Sequence, residues 1–282
     1  MYYCGELVGS EFCKIRIDPE ILGTLPAMKI ASWNVNSLKV RLEQVLDWLD
    51  HQRPDVLGLQ ETKLIDDRFP SDAFAELGYH VSFAGQPTYN GVALIASSAL
   101  GDPVTEIPDF PDEQKRVIAA TIDGVRVINL YVVNGKEVGS DKYDYKLAWF
   151  EAVTRWVADE LSRHDKLVVM GDFNIAPDDR DVYDPEAWHE KILCSTPERQ
   201  ALEKMLKLGL HDTFRLFDQP ELVFSWWDYR AAMFRRGLGL RIDLVLCSDA
   251  LKESCTTSYV DKEPRKNERP SDHAPVVAEF KL

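Results

Sequence analysis

The 282 residues, 45% hydrophobic and 10% aromatic, can bury a large core, and no apolar run approaches the ~20 residues of a membrane span. Five cysteines, Cys4, Cys13, Cys194, Cys247 and Cys255, are odd in number and never spaced C-x-x-C, which speaks against a disulfide framework or zinc ribbon and for a reducing cytosol. The formal charge of −14 opposes a uniformly phosphate-binding surface, so any nucleic-acid contact requires one basic face on an acidic body.

Residues 1–27 mix Cys, Gly and Pro with weak periodicity and lack the basic start and long apolar core of a secretory signal. They read as an N-terminal extension, disordered or upstream of a natural start at Met28, with one folded domain expected over residues 28–282. A strand is predicted at Lys29–Asn34. A helix follows over Leu38–His51, where Leu38, Leu42, Val45, Leu46 and Leu49 form an apolar stripe and Pro54 blocks continuation. Short Val- and Ile-rich runs predict strands at Val56–Gln60, His80–Ala84, Val92–Ala96, Val117–Ile122 and Val125–Tyr131. Leu147, Phe150, Val153, Val157 and Leu161 mark a second helix, ahead of a strand at Leu167–Gly171. A third helix starts at Ser195, with Pro197 in its first turn and Glu198 at capping-box spacing. Strands at Asp243–Cys247 and Val276–Phe280 complete the series. This is more than one ordinary sheet holds, so the predicted fold is α/β, two packed sheets with helices outside. Candidates for the basic face are Lys39, Arg41, Lys63, Lys115, Arg116, Arg230, Arg235, Arg236 and the Arg265–Lys266–Arg269 run.

The strands repeatedly finish on polar residues. Asn34 ends the first, Glu61 follows VLGLQ, Tyr131 follows VINL, Asp172 and Asn174 follow LVVMG, Asp243 opens DLVL, and Asp272 and His273 precede APVVAEF. Each alone reads as a cap or turn former. Side by side, they would bring carboxylates, amides, a phenol and an imidazole into one cleft. Such a set suits phosphodiester hydrolysis. Oxygen donors hold hard, octahedral Mg²⁺, with Mn²⁺ as a substitute; a base takes a proton from water, and an imidazole or amide stabilises the pentacovalent oxygens.

The motifs WNVNSLKVR (33–41), LQETK (59–63), YNGVAL (89–94), INLYVVNG (128–135), GDFNIAP (171–177), FSWWDYR (224–230), GLRIDLVL (239–246) and RPSDHAPV (269–276) resemble those of the exonuclease III family of abasic-site endonucleases. The match runs from about Met28 to the C-terminus, and FSWWDYR with GLRIDLVL is its most specific part. The resemblance implies a four-layer, DNase I-like sandwich of two mixed sheets. It also implies a monomeric, Mg²⁺-dependent enzyme of the bacterial cytosol, cutting duplex DNA 5′ to an abasic site and leaving a 3′-hydroxyl, with 3′→5′ exonuclease and 3′-phosphatase activity alongside. Carried over by residue, Glu61 with Asn34 binds metal, Asp172 positions or deprotonates the attacking water, and Asn174 holds that water or a phosphate oxygen. His273, oriented by Asp243, contacts the phosphate; Tyr131 stabilises phosphate or leaving group. Asp172, Asn174, Asp272 and His273 join the metal candidates. Arg116, Asn134 and Arg230 contact DNA, while Trp226, Leu240 and Ile242 form an apolar pocket for a flipped-out sugar without a base.

Ser37 stands where the family usually has glycine, and Val133 replaces a proline or similar residue; both bear on loop shape, and hence on the balance of endonuclease and exonuclease action. Two alternatives compete. One is a phosphoinositide or sphingolipid phosphoesterase, which FSWWDYR with GLRIDLVL disfavours. The other is a non-catalytic nucleic-acid-binding relative, which the full set of carboxylates disfavours.

Overall fold

A computed structural model describes residues 27–282. The extension expected over 1–27 lies outside the described residues except for Ala27, which already belongs to the first strand. β1 (Ala27–Asn34), α1 (Leu38–Gln52) and β2 (Val56–Gln60) make a strand, helix, parallel-strand unit. α2 (Ser71–Glu76), β3 (His80–Ala84) and β4 (Val92–Ala96) follow, then β5 (Gly101–Val104), β6 (Val117–Ile122) and β7 (Val125–Tyr131). A second such unit consists of β7, α3 (Asp141–Arg163) and β8 (Leu167–Asp172). The chain continues through α4 (Pro185–Trp188), α5 (Thr196–Leu206), β9 (Leu210–Asp212), α6 (Met233–Arg236), β10 (Asp243–Ser248), α7 (Asp249–Lys252), β11 (Cys255–Val260) and β12 (Val276–Lys281).

The strands form two mixed sheets of six, ordered β11-β12-β1-β2-β4-β3 and β5-β6-β7-β8-β10-β9. Alternation along each strand assigns side chains to layers. Ile30, Val56, Leu94, Val127, Val168 and Met170 meet between the sheets, whereas Ala31, Trp33 and Leu57 pack outward against Val45 and Leu49 of α1. Behind the second sheet, Trp149, Phe150 and Val153 of α3 and Leu202 and Met205 of α5 cover Ile128, Leu130 and Val169. Each such buried side chain contributes roughly 1.5–3 kcal/mol. The result is the four-layer sandwich expected from the sequence, with helices on both outer faces.

The three strands that the hydropathy pattern does not announce, β5, β9 and β11, are all at sheet edges. An edge strand buries less of itself and needs no apolar alternation; β5 even carries Pro103, and β9 has three residues. The helix starting at Ser195 has the predicted capping box with Glu198, and α1 stops at left-handed Arg53, directly before Pro54.

Polar bridges fix the sheets to one another just below the strand ends. Gln60 donates to Asn129 Oδ1 at 2.5 Å, and Asn129 donates in turn to the carbonyls of Leu59 at 2.9 Å and Ala93 at 3.0 Å. Gly58 permits this approach, since a Cβ there would lie 2.6 Å from Met170 Cε. Gly171, at φ 147, is more constrained still, because a Cβ would come within 1.9 Å of the Leu130 carbonyl oxygen.

Candidate active site

Register assembles the site. Tyr131 of β7 pairs with Asp172 of β8, and Asp172 pairs with Asp243 of β10, so three sequence-distant residues form a row across the second sheet. In the facing sheet, Asn34 pairs with Gln60 and Glu61 comes next along the chain. Both parallel pairs present their C-terminal ends to the same edge, where open α/β sheets place ligands. Glu61, at φ 53, and Asn174, at φ 48, adopt the left-handed backbone in the turns that leave β2 and β8.

His273 links the row together. Its Nδ1 lies 2.9 Å from Asp243 Oδ2 and its Nε2 3.8 Å from Asp172 Oδ2. Burial works against charge on this imidazole, but the carboxylates of Asp243, Asp172 and Asp272 outweigh it and raise its pKa to about 10. Asp243 is itself held by the Ser225 hydroxyl at 2.6 Å. Charged, this imidazolium offers hydrogen-bond donors; with the Nε2 proton lost it offers the lone pair that a cation requires. Burial raises the pKa of Asp172, as do Asp243 and Glu61, while His273 and the Asn34 hydrogen bond oppose the shift. Burial likewise raises Tyr131 well above the ordinary phenol value, with Glu61 and Asp172 adding to the effect, so the phenol keeps its proton.

Asn34 orients the carboxylates. Its Oδ1 accepts the Asn36 backbone N–H at 2.9 Å, which turns its amide nitrogen toward Glu61 Oε1 and Asp172 Oδ2, both at 2.9 Å. It therefore offers those two groups hydrogen atoms, not an oxygen ligand. Among the described residues, Glu61, Asp172 and His273 form the one group able to surround a cation, with one ligand atom from each within 4.8 Å of the others. The oxygen-rich chemistry fits a hard divalent ion, and the Lys63 ammonium, 2.8 Å from Glu61 Oε2, already shows the demand for positive charge here. Asp272 stands apart from this group: its oxygens accept from Asn36 Nδ2 at 2.9 Å and Trp226 Nε1 at 3.1 Å. Asn174 has both ends of its amide engaged, accepting from Asn134 at 2.9 Å and donating to Val132 O at 3.0 Å.

Leu240 and Ile242 are buried in one cluster with Ala176, Val182, Leu193 and Cys194, and half-buried Trp226 packs on it. The Trp226 ring is 6.5 Å from that of His273, placing an apolar patch beside the acidic row. Trp227 is instead a core residue with Phe224 and Ala274. The basic candidates divide. Arg116 is buried, stacked 4.6 Å over the Tyr131 ring and bonded to its carbonyl, so it braces Tyr131 where sequence suggested a group reaching for DNA. Arg265 is also buried, stacked on Phe234, which removes it from the expected basic face. Arg230 is exposed and pairs with Asp228 at 2.9 Å.

The sequence reading missed several supports. Ser225 lies inside FSWWDYR, where the tryptophans draw attention, yet its hydroxyl fixes Asp243 and accepts the Ile242 and Asp243 backbone N–H groups. Ser271 donates to the Asn34 carbonyl and accepts from His273 N. Position directly before Asp272–His273 was the only available signal for it. Asn36 bridges Asp272 and Lys63.

The sequence profile of the endonuclease/exonuclease/phosphatase family matches residues 31–273. Exodeoxyribonuclease III of Haemophilus influenzae is 36% identical over 270 residues, covering 90% of this chain and all of that protein. The structure of a 3′ phosphatase from Neisseria bound to a product DNA hairpin superposes with a TM-score of 0.89 at 53% identity, covering 90% of this chain and all of that one. An AP endonuclease from Archaeoglobus fulgidus gives 0.87 at 38% identity with the same coverage.

Proposed function

The chain belongs to the endonuclease/exonuclease/phosphatase family and is a nuclease, and from that premise we propose a magnesium-dependent DNA-repair enzyme that cuts duplex DNA 5′ to an abasic site. Cleavage breaks the bond between phosphorus and the O3′ of the preceding nucleotide, leaving a 3′-hydroxyl. The observation that carries this reading is the row Tyr131–Asp172–Asp243 with His273 across it, facing Glu61 and flanked by the Trp226, Leu240 and Ile242 patch.

A divalent ion held by Glu61 and Asp172 would neutralise phosphate charge. Asp172, whose burial gives it unusual proton affinity, takes the proton of the attacking water. His273, fixed by Asp243, donates to a phosphate oxygen, and the neutral Tyr131 phenol donates to phosphate or the departing O3′. Asn134 keeps one amide hydrogen for the water or the backbone, while Asn174 secures Asn134. A sugar without a base costs less to extrude than a paired nucleotide and fits an apolar recess. Arg230, with Lys39 and the exposed arginines near it, supplies backbone contacts. We take residues 28–282 as the catalytic domain, acting as a monomer in the cytosol, where its substrate is. No helix among the described residues is long and apolar enough to cross a membrane.

A second emphasis, processing of 3′ ends by the same site, is supported by the greater identity to the Neisseria 3′ phosphatase, 53% against 38% for the archaeal AP endonuclease. The deciding experiment compares three end-labelled duplexes, one with an internal abasic analogue, one nicked with a 3′-phosphate and one blunt and undamaged, with Mg²⁺ and with EDTA. Metal-dependent nicking of the first establishes the endonuclease. Release of phosphate from the second with the first intact makes the enzyme a 3′-end processor, and no reaction on any duplex overturns the nuclease reading.

A further inference from the structure

Behind the acidic row lies a pair of opposite charges that the reaction does not use. Lys146 of α3 and Glu198 of α5 form an ion pair, and both side chains are fully buried. Taking two charges out of water is expensive, and apolar residues of similar size commonly replace such a pair without loss of stability. Stability alone therefore does not account for these residues.

Their partners do. The Lys146 ammonium donates to the main-chain carbonyl of Asn174 at 2.7 Å and to that of Asn134 at 3.2 Å, as well as to Glu198 Oε1. These carbonyls belong to the loops following β8 and β7, whose side-chain amides bond to one another in the site. Glu198 is anchored from behind, accepting from Leu193 N at 3.1 Å, Ser195 N at 3.0 Å and the Ser195 hydroxyl at 2.6 Å. Gly135 leaves the passage open, since a Cβ there would press on Lys146 Cδ at 3.0 Å.

We propose that Lys146 and Glu198 are positioning residues for phosphodiester cleavage, a buried strut from α3 and α5 that clamps the Asn134 and Asn174 loops and so fixes the amides beside Asp172. The inference rests on the proposed nuclease function for the reaction it tunes, but its geometry is independent of the substrate. It acts through main-chain carbonyls beside Asp172, so it governs turnover more than DNA affinity.

The test is the double variant Lys146→Met/Glu198→Gln, which removes both charges while the amide oxygen still accepts from the Ser195 N–H and hydroxyl of the helix cap, at the loss of the Leu193 N–H bond. The strut predicts a kcat lower by about 100-fold on every duplex the wild type cleaves, with KM within about 3-fold of wild type and a retained cooperative melting transition. A folded double variant with wild-type kcat overturns the proposal. Should that variant fail to fold, Glu198→Gln alone retains the helix cap; the strut predicts about a 10-fold fall in kcat at unchanged KM, and full kcat contradicts it. If the wild type cleaves no duplex, the functional reading fails separately, and amide hydrogen exchange then decides on the strut. Exchange at least about 10-fold faster in residues 132–135 and 172–176 of a folded variant, with the remainder unchanged, supports the clamp, and unaltered protection there removes it.

Discussion

The two ends of the central strands handle charge in opposite ways. At the N-terminal ends of β1, β2 and β7, the buried and half-buried charges have fixed partners: Arg126 bonds Glu160 at 2.5 Å with both side chains nearly buried, and Lys29 pairs with Glu279 at 3.3 Å while its backbone N–H bonds Asp55 at 2.7 Å. At the C-terminal ends, Glu61, Asp172, Asp243 and Asp272 converge on one imidazole and one ammonium. One end is neutralised from within the chain. The other gathers like charges, which raises the proton affinity of Asp172 and creates a place for an external cation.

Breaking the crowded end should have the largest effect. Asp172→Asn is expected to lower kcat by about 1,000-fold or more with DNA affinity retained, as read by single-turnover cleavage beside a binding isotherm. Asp243→Asn frees the imidazole of its orienting carboxylate, and Ser225→Ala loosens that carboxylate one step further back. Losses of about 100-fold and about 10-fold respectively are expected in kcat, with little change in KM. The neutralised end should respond in stability alone. Glu160→Ala strands the Arg126 guanidinium and is expected to cost about 3–5 kcal/mol in denaturant unfolding, whereas Arg126→Met/Glu160→Leu restores much of that loss. Both should keep the wild-type kcat in the folded enzyme, and a changed kcat would erase the distinction between the ends. The smallest effect is expected at Ser37, which leads into α1 at φ 94 and ψ 103. Ser37→Gly relieves backbone strain and should raise stability by about 1 kcal/mol in the same unfolding measurement.

Most of this comparison is legible in the sequence. The core strands announce themselves because both faces are buried, giving uninterrupted Val, Ile and Leu, and their polar terminators stand out against that background. Asn34, Glu61, Tyr131, Asp172, Asp243 and His273 all stand out this way, and the fold places them at one edge, Tyr131, Asp172 and Asp243 by strand register. What the sequence hides is direction. Arg116 reads like a DNA-gripping arginine, and the fold stacks it on Tyr131; Asn34 reads like a metal ligand, and its oxygen accepts the Asn36 N–H while its amide nitrogen faces the carboxylates. Glu198 illustrates the same limit. Its capping-box spacing is visible locally, but its partnership with Lys146 spans 52 residues and depends on how two helices pack.

The unneutralised strand ends are expected to be a cleavage site completed by a divalent cation. The most direct test is single-turnover cleavage by EDTA-stripped enzyme as Mg²⁺ is titrated back, on the fastest of the three duplexes, for wild type and Glu61→Ala. No cleavage is expected without metal, with saturable recovery in wild type and a Glu61→Ala curve displaced to higher Mg²⁺ with a lower plateau. Full cleavage by the stripped enzyme, or superimposable curves for the two proteins, would contradict it.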